Sequence, residues 1–221
     1  MIRNAEGGSV PLAAANIAEA RVPTPIEFYF DFSSPYAYLA AEQIEDVAAR
    51  HGRAVRYLPV LLGAIFRVSG QRPLTEVPLK GEYSRRDFAR SARMAAIPFA
   101  LPEPFPIGTL QAARAALVVE ERFPERLKDF VHRAFRAYFV QGRNLSEAQV
   151  VRDVLAESGV DAAAVMEAAD QAPVKEALKR VGDRAVERGV FGAPFFFVDG
   201  EPFWGNDRLA QMERWLSTGP F

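Results

Sequence analysis

Near the start of the chain, an aromatic apolar run is followed directly by a helix start. Residues 26–32, IEFYFDF, have the composition of a buried β-strand. Ser34 is then a candidate N-cap, and Pro35 a first-turn proline whose missing N–H costs nothing. Residues 54–60 form a second strand candidate after the helix. A strand, helix, strand unit favours parallel pairing of the two strands through a right-handed crossover.

The pattern becomes helical from residue 61 to about residue 189. The helix-like segments are separated by short loops and by a proline-rich connection at 98–106. We expect helices over residues 83–96, 110–123, 124–140, 146–158, 161–169 and 173–187. This is a long helical block placed after a strand, helix, strand unit.

Strand character resumes at residues 195–198. Asp199-Gly200 is a strong signal for a two-residue hairpin turn, and residues 201–204 supply the returning strand. A last helix is expected through Trp215, with Asn206 or Asp207 as its cap. The order of elements predicts an α/β fold.

In this fold, a thioredoxin-like domain is interrupted by an all-helical insertion domain. The thioredoxin-like domain would comprise residues 26–60 and 190–221, and the insertion domain residues 61–189. Residues 1–25 would form an N-terminal extension that is flexible or loosely docked.

Composition excludes several classes of function. The 221 residues are 49% hydrophobic, which is enough for a substantial core, and the net charge of -1 gives no general attraction to nucleic acid or anionic lipid. No apolar run is long enough to span a membrane, and the first residues lack a secretory signal, so we expect a cytoplasmic protein. The chain has no cysteine and two histidines, too few for a zinc site or a histidine-based triad.

Ser34-Pro35-Tyr36-Ala37 occupies the position at which thioredoxin-like oxidoreductases carry a Cys-x-x-Cys pair. A helix N-terminus favours an anion there, and in those enzymes it acidifies the first thiol. Here the thiols are absent and the helix start remains. Ser34 is a hydrogen-bond donor for a thiolate supplied by another molecule, and glutathione is the obvious candidate. The alternative is that Ser34 only caps the helix.

A second element lies in Gly189-Val190-Phe191-Gly192-Ala193-Pro194-Phe195, where a proline directly precedes a strand. In thioredoxin-like folds the equivalent proline is cis and faces the active-site helix, so the backbone of the preceding residue pairs with a bound peptide. Ala193 would then hold the cysteinyl part of glutathione. An ordinary loop proline is the alternative.

Asn206 and Asp207 form the third element. At a helix start they are suited either to capping or to binding the ammonium and carboxylate of a γ-glutamyl group. Elsewhere, Phe32, Tyr36 and Trp204 are candidates for an aromatic wall over a planar substrate, although aromatic residues at strand ends more often belong to the core. The arginines at 85, 86, 90 and 93 are interpreted as a solvated helix face.

The segments "FYFDFSSPYAYLA", "PLKGEYSRRDFAR", "IPFALPEPFPIGTLQAARAAL" and "GVFGAPFFFVDGEPFWGNDRL" resemble the 2-hydroxychromene-2-carboxylate isomerase family. That family is related to kappa-class glutathione transferases and to DsbA, and the resemblance spans about residues 26–216. It implies a glutathione cofactor, a small aromatic oxo acid as substrate, and usually a homodimer.

The resemblance also implies roles for individual residues. Ser34 would contact the glutathione thiol, Ala193 and Pro194 its backbone, and Asn206 and Asp207 its γ-glutamyl end. Lys80 and Tyr83, in "KGEY", match positions that line the glutathione and substrate cleft. The sequence departs from the family pattern at Gln71 and Gly108, which bears on the substrate more than on the cofactor.

The sequence therefore predicts a glutathione-dependent cis-trans isomerase. One alternative is a kappa-class-like glutathione transferase or peroxidase. Another is a glutathione-binding or peptide-binding module without turnover.

Overall fold

In a computed structural model of the protein, which describes residues 23–221, a four-stranded mixed sheet is the centre of the fold. Its strands are β1 (Ile26–Phe30), β2 (Val55–Pro59), β3 (Phe195–Val198) and β4 (Glu201–Trp204), in the order β2-β1-β3-β4. β1 is parallel to β2 and antiparallel to β3, and β4 is antiparallel to β3. Helix α1 (Pro35–Arg50) connects β1 to β2, so the strand, helix, strand prediction is confirmed.

The hairpin between β3 and β4 turns at Asp199-Gly200 as predicted. Val198 pairs with Glu201, and the two turn residues have φ angles of 53° and 95°. Positive φ at both central positions matches the twist of the flanking strands, and glycine adopts it without steric cost.

The segment between β2 and β3 is helical. It contains α2 (Leu62–Ser69), α3 (Lys80–Met94), α4 (Leu110–Arg122), α5 (Pro124–Phe139), α6 (Ala148–Glu157), α7 (Ala162–Ala169) and α8 (Ala172–Glu187). The six expected helices are confirmed within a few residues at their ends. Helix α2 and a 3-10 turn at Leu74–Glu76 were not predicted, because α2 is short and Ile65 is its one buried residue.

The last helix, α9, spans Leu209–Thr218 and is preceded by a 3-10 turn at Asn206–Arg208. Neither element begins with a side-chain cap. The expectation that Asn206 or Asp207 caps α9 is therefore wrong. Both side chains precede the helix by a turn and do not satisfy its first N–H groups.

The two faces of the sheet are buried by different helices. Alternation along β1 sends Phe28 and Phe30 to one face, where they join the core formed with α1, α4 and α5. Tyr29 points to the other face and packs in a cluster with Ile65 of α2 and Ala185 of α8. Helices α2 and α8 thus cover this second face of the sheet. The predicted domain boundaries at residues 60 and 190 lie within this cluster.

The fold class is confirmed as a thioredoxin-like α/β domain with a helical insertion, while the division into two domains stays a prediction. The proposed extension, apart from residues 23–25, lies outside the described residues. Within residues 23–221, no helix combines the length and apolar character needed to cross a membrane.

A charged cluster joins α1 to α5. His132 Nδ1 lies 3.1 Å from Glu42 Oε1, and His132 Nε2 lies 3.6 Å from Glu45 Oε2. Arg136 also donates to Glu42, at 2.9 Å. Burial opposes protonation of His132, but its bonds to the two glutamates raise its pKa to about 9. Burial raises the pKa of Glu45, but its interactions with His132, Lys128 and the Tyr57 hydroxyl outweigh burial and hold that pKa at about 2.

Candidate functional site

Ser34 is the N-cap of α1 and lies beside the loop that precedes β3. Its Oγ accepts the N–H of Ala37 at 3.2 Å and donates to the carbonyl oxygen of Ala193 at 3.0 Å. The side chain is largely buried, and Pro35 follows as the first helical residue. The structure therefore brings together two residues that are 159 positions apart in sequence and that were both predicted to contact glutathione. Ser34 therefore caps α1, and the same hydroxyl makes the bond to Ala193, while its contact with glutathione stays a prediction.

The electrostatics at this end of α1 favour an anion. The helix has no acidic side chain in its first turn, so no carboxylate of its own offsets the positive end of the helix dipole. The described chain and the full sequence both lack a cysteine. Any thiolate that uses this site must therefore belong to a bound molecule.

Asp31, directly after β1, holds in place the loop that leads to Ser34. Its buried carboxylate accepts the N–H of Ser33, the N–H of Leu62 and the hydroxyl of Thr109, each at 2.8 Å. Burial raises the pKa of Asp31, and the three hydrogen bonds oppose that rise. One side chain thus ties the loop before α1 to the starts of α2 and α4. We did not single out Asp31, although an acidic residue in an apolar run was a signal for such an anchor.

The Ala193-Pro194 peptide bond is cis, as the thioredoxin-like pattern predicts. The carbonyl of Pro194 accepts the N–H of Gly205 at 3.0 Å, which connects this loop to the end of β4. The Trp204 indole lies against Gly192, since a Cβ on that glycine would be 2.7 Å from Trp204 Nε1. Trp204 is about half exposed, so its ring is available at the surface beside the proline loop.

Asn206 and Asp207 lie directly after Gly205. The Asp207 carboxylate folds back over Gly205, which has a φ of 109°, and its Oδ2 is 3.3 Å from Arg208 Nη1. The 3-10 turn Asn206–Arg208, which carries both residues, packs against α1. The polar side chains predicted for a γ-glutamyl group are thus placed close to the helix that Ser34 begins.

Helix α3 packs against α1. The Tyr36 hydroxyl donates to Asp87 Oδ2 at 2.5 Å, and Arg90 pairs with the same carboxylate. Arg90 Nη2 also donates to the Tyr83 hydroxyl at 3.0 Å. Burial and the hydrogen bond to Asp87 raise the pKa of Tyr36, so its phenol stays protonated. Lys80 is exposed at the first position of the same helix.

The prediction that Arg90 is only a solvated surface arginine is therefore incomplete. Its bonds to Asp87 and Tyr83 connect it, through Asp87, to Tyr36 in the first turn of α1. The periodicity of the arginines did not indicate this, because the partner Tyr36 is 51 residues from Asp87 in sequence.

The structure corrects the proposed role of Phe32. This side chain is 1% exposed and its ring packs at 5.1 Å from both Phe30 and Phe135. It is a core residue that cannot contact a substrate. Tyr36 is partly buried against Phe88, and Trp204 is half exposed, so these two remain candidates for the aromatic wall.

The fold and the site define a thioredoxin-fold protein with a helical insertion and no redox cysteine pair of its own, because a serine begins the first helix. A family model, DSBA-like thioredoxin domain, matches residues 25–217. The chain is 31% identical over 193 residues to 2-hydroxychromene-2-carboxylate isomerase of Sphingobium xenophagum, covering 86% of this chain and 97% of that one. It is 28% identical over 196 residues to glutathione S-transferase kappa 1 of Caenorhabditis elegans, covering 83% and 87% of the two chains.

Among solved structures, that of a 2-hydroxychromene-2-carboxylate isomerase superposes with a TM-score of 0.79 at 25% identity, over 87% of this chain and 94% of the other. The chain thus belongs to the DSBA-like thioredoxin family, in the group that includes 2-hydroxychromene-2-carboxylate isomerases and kappa glutathione transferases.

Proposed function

We propose that the protein is a glutathione-dependent cis-trans isomerase that acts on 2-hydroxychromene-2-carboxylate or a similar aromatic oxo acid. The observation that carries the proposal is the contact between the Ser34 hydroxyl and the Ala193 carbonyl in a chain that has no thiol. Thiol chemistry at this helix start requires an external thiol. The similarity to the Sphingobium xenophagum isomerase over most of both chains supports the reaction type.

The residues present fit glutathione. Ser34 would contact the thiol, the backbone of Ala193 and Pro194 the cysteinyl unit, and Asn206 and Asp207 the γ-glutamyl end. Lys80 and Tyr83 would line the cleft that glutathione shares with the substrate. When bound, glutathione supplies a nucleophilic thiol whose reversible addition to an unsaturated oxo acid permits rotation about the former double bond.

The role of Ser34 is to favour the thiolate over the thiol. Its hydroxyl is a hydrogen-bond donor, and the first turn of α1 adds the positive end of the helix dipole. Because Ser34 Oγ accepts the Ala37 N–H, its hydrogen is directed away from the helix, and the Ala193 carbonyl receives it. A thiolate beside Ala193 would compete for that hydrogen. Because Ser34 is buried, little water competes for its hydroxyl hydrogen.

Product analysis tests the proposal. Purified protein is incubated with glutathione and 2-hydroxychromene-2-carboxylate, and both the oxo acid isomers and free glutathione are quantified by chromatography. We expect isomerisation without net loss of glutathione. Ser34→Ala is expected to reduce kcat roughly 100-fold, the scale for one donor to a developing or bound anion. Ser69→Ala, at the exposed end of α2, is the control and should be unaffected. Equal kcat for wild type and Ser34→Ala would remove Ser34 from the mechanism.

A kappa-class-like transferase is the second candidate, favoured by the similarity to the Caenorhabditis elegans kappa enzyme. The same experiment separates the two, because conjugation consumes one glutathione for each product molecule. Saturable binding of glutathione with no change in any oxo acid would instead support a binding module. The homodimer remains a prediction, and sedimentation of the purified chain would test it.

A further inference from the structure

One face of α3 carries three polar side chains about one helical turn apart. Tyr83, Asp87 and Arg90 are spaced at i, i+4 and i+7, so they lie along one stripe of the helix. The Tyr36 hydroxyl reaches this stripe at Asp87, and its ring packs on Phe88 with centroids 4.9 Å apart. After burial and Asp87, the Asp207 carboxylate also raises the pKa of Tyr36, so the stripe lies near the turn that carries Asp207.

Arg90 is fixed on one side and open on the other. Both of its hydrogen bonds, to Asp87 and to Tyr83, leave from the same nitrogen, Nη2. Within residues 23–221, its Nε and Nη1 atoms carry no hydrogen bond to protein. The side chain is 56% exposed, so the N–H groups of Nε and Nη1 are accessible. Each of these N–H groups can donate a charge-assisted hydrogen bond to an oxygen of a carboxylate.

Asp87 orients Arg90 and is itself well supported as an anion. Partial burial raises the pKa of Asp87, but hydrogen bonds from Tyr36 and Arg90 hold it below its usual value. Asp87 contacts the guanidinium at Nη2, which leaves Nε and Nη1 for another ligand. The Arg90 guanidinium also lies over the Tyr83 ring, 5.4 Å from its centroid, which places an aromatic surface beside the charge.

We propose that Arg90 binds the carboxylate of the oxo acid substrate, while the rings of Tyr83 and Tyr36 contact its aromatic part. This inference rests on the proposed function. It assigns glutathione to the side formed by Ala193, Pro194 and the 3-10 turn Asn206–Arg208, and the substrate carboxylate to the α3 side, with Tyr83 between the two. Arg90 would then set the specificity for acids over neutral aromatic compounds.

A pair of unreactive ligands tests the assignment without turnover. Chromane-2-carboxylate lacks the double bond that a thiol attacks, and chromane-2-carboxamide has the same shape without the charge. Their dissociation constants are measured by calorimetry on protein saturated with glutathione. The variants are Arg90→Ala, Arg90→Lys and Lys80→Ala. The matched control is Arg86→Ala, which removes an exposed arginine of the same helix that pairs with Glu82. Binding of glutathione alone is measured first in each protein.

We expect wild type and Arg86→Ala to bind the carboxylate tightly relative to the carboxamide. Arg90→Ala should weaken carboxylate binding roughly tenfold or more, the scale of a charge-assisted hydrogen bond, and leave the carboxamide and glutathione unchanged. Arg90→Lys should retain part of the preference, because it keeps the charge and loses the fixed N–H directions of the guanidinium.

Three results would overturn the proposal. Equal carboxylate affinity in wild type and Arg90→Ala would show that Arg90 makes only a surface ion pair with Asp87. If carboxylate affinity falls only in Lys80→Ala, the carboxylate is bound by that lysine. No carboxylate preference in wild type would exclude an anion site in the cleft. In all three cases glutathione binding would leave the proposed function standing. Failure of wild type to bind glutathione would remove the proposed function, and this inference with it.

Discussion

A cysteine placed at position 34 would measure how strongly this helix start stabilises a thiolate. Ser34→Cys introduces the only thiol of the chain, so its titration is not mixed with any other. The helix N-terminus favours the anion by up to ~2 kcal/mol in a partly buried position, and an N–H bond to a charged group adds ~1.5–3 kcal/mol. The Ala37 N–H already bonds to the atom that the sulfur would replace.

Two features of the site oppose this stabilisation. Position 34 is 5% exposed, and the Ala193 carbonyl accepts a hydrogen that only the neutral thiol can donate. These two effects cancel part of the ~3.5–5 kcal/mol gain, and the remainder holds the thiol pKa below its ordinary value of about 8.5.

The assay follows the ultraviolet absorbance of the thiolate, and the rate of alkylation by iodoacetamide, as functions of pH. Ser69→Cys is the control, because it places a thiol on the exposed last residue of α2, where the negative end of the helix dipole disfavours the thiolate. Its pKa should be at or above the ordinary value. If the thiol at position 34 titrates no lower than this control, the site does not stabilise a thiolate and the reasoning is refuted.

Three further predictions concern other parts of the structure. His132 has a folded pKa of about 9 and an ordinary value of 6.5, so its contribution to stability is fully present below pH 6.5 and is lost as the pH rises through 9. Thermal unfolding should show a falling midpoint over that range, and His132→Gln should flatten it; an unchanged slope would contradict the network. Phe32→Ala should lower the free energy of unfolding by about 3–5 kcal/mol in urea titrations, as for a fully buried aromatic, and a cost under ~1 kcal/mol would contradict its place in the core. Gly192→Ala should displace the Trp204 indole and change its fluorescence, whereas Gly63→Ala, with open space around it, should not; identical spectra for both variants would contradict the packing.

Much of the fold was predictable because its elements carry local signals. The aromatic run of β1, the Ser-Pro start of α1 and the Asp-Gly turn each determine their conformation within a few residues. The helical periodicity of α3 to α8 also identified six helices. Helix α2 was missed because it is short and its placement depends on the sheet face, which the sequence of α2 does not reveal.

The candidate site was predictable in its parts and less so in its connections. Local signals identified three residues of the site. The junction of a strand and a helix indicated Ser34, and the proline before β3 indicated Ala193 and Pro194. The structure brings them together. Phe32 was misassigned because alternation along an aromatic run does not say which face meets solvent. Asp31 and Arg90 were not recognised as part of the site, since their roles come from partners distant in sequence.

Calorimetric titration with reduced glutathione tests the central claim most directly. Wild type, Ser34→Ala and Asp207→Ala are compared, with S-methyl glutathione as the ligand that lacks a free thiol. We expect saturable binding to wild type, weaker binding to Asp207→Ala, and a preference for the free thiol that disappears in Ser34→Ala. No binding to wild type at millimolar glutathione would contradict it, and so would equal affinity of wild type for both ligands.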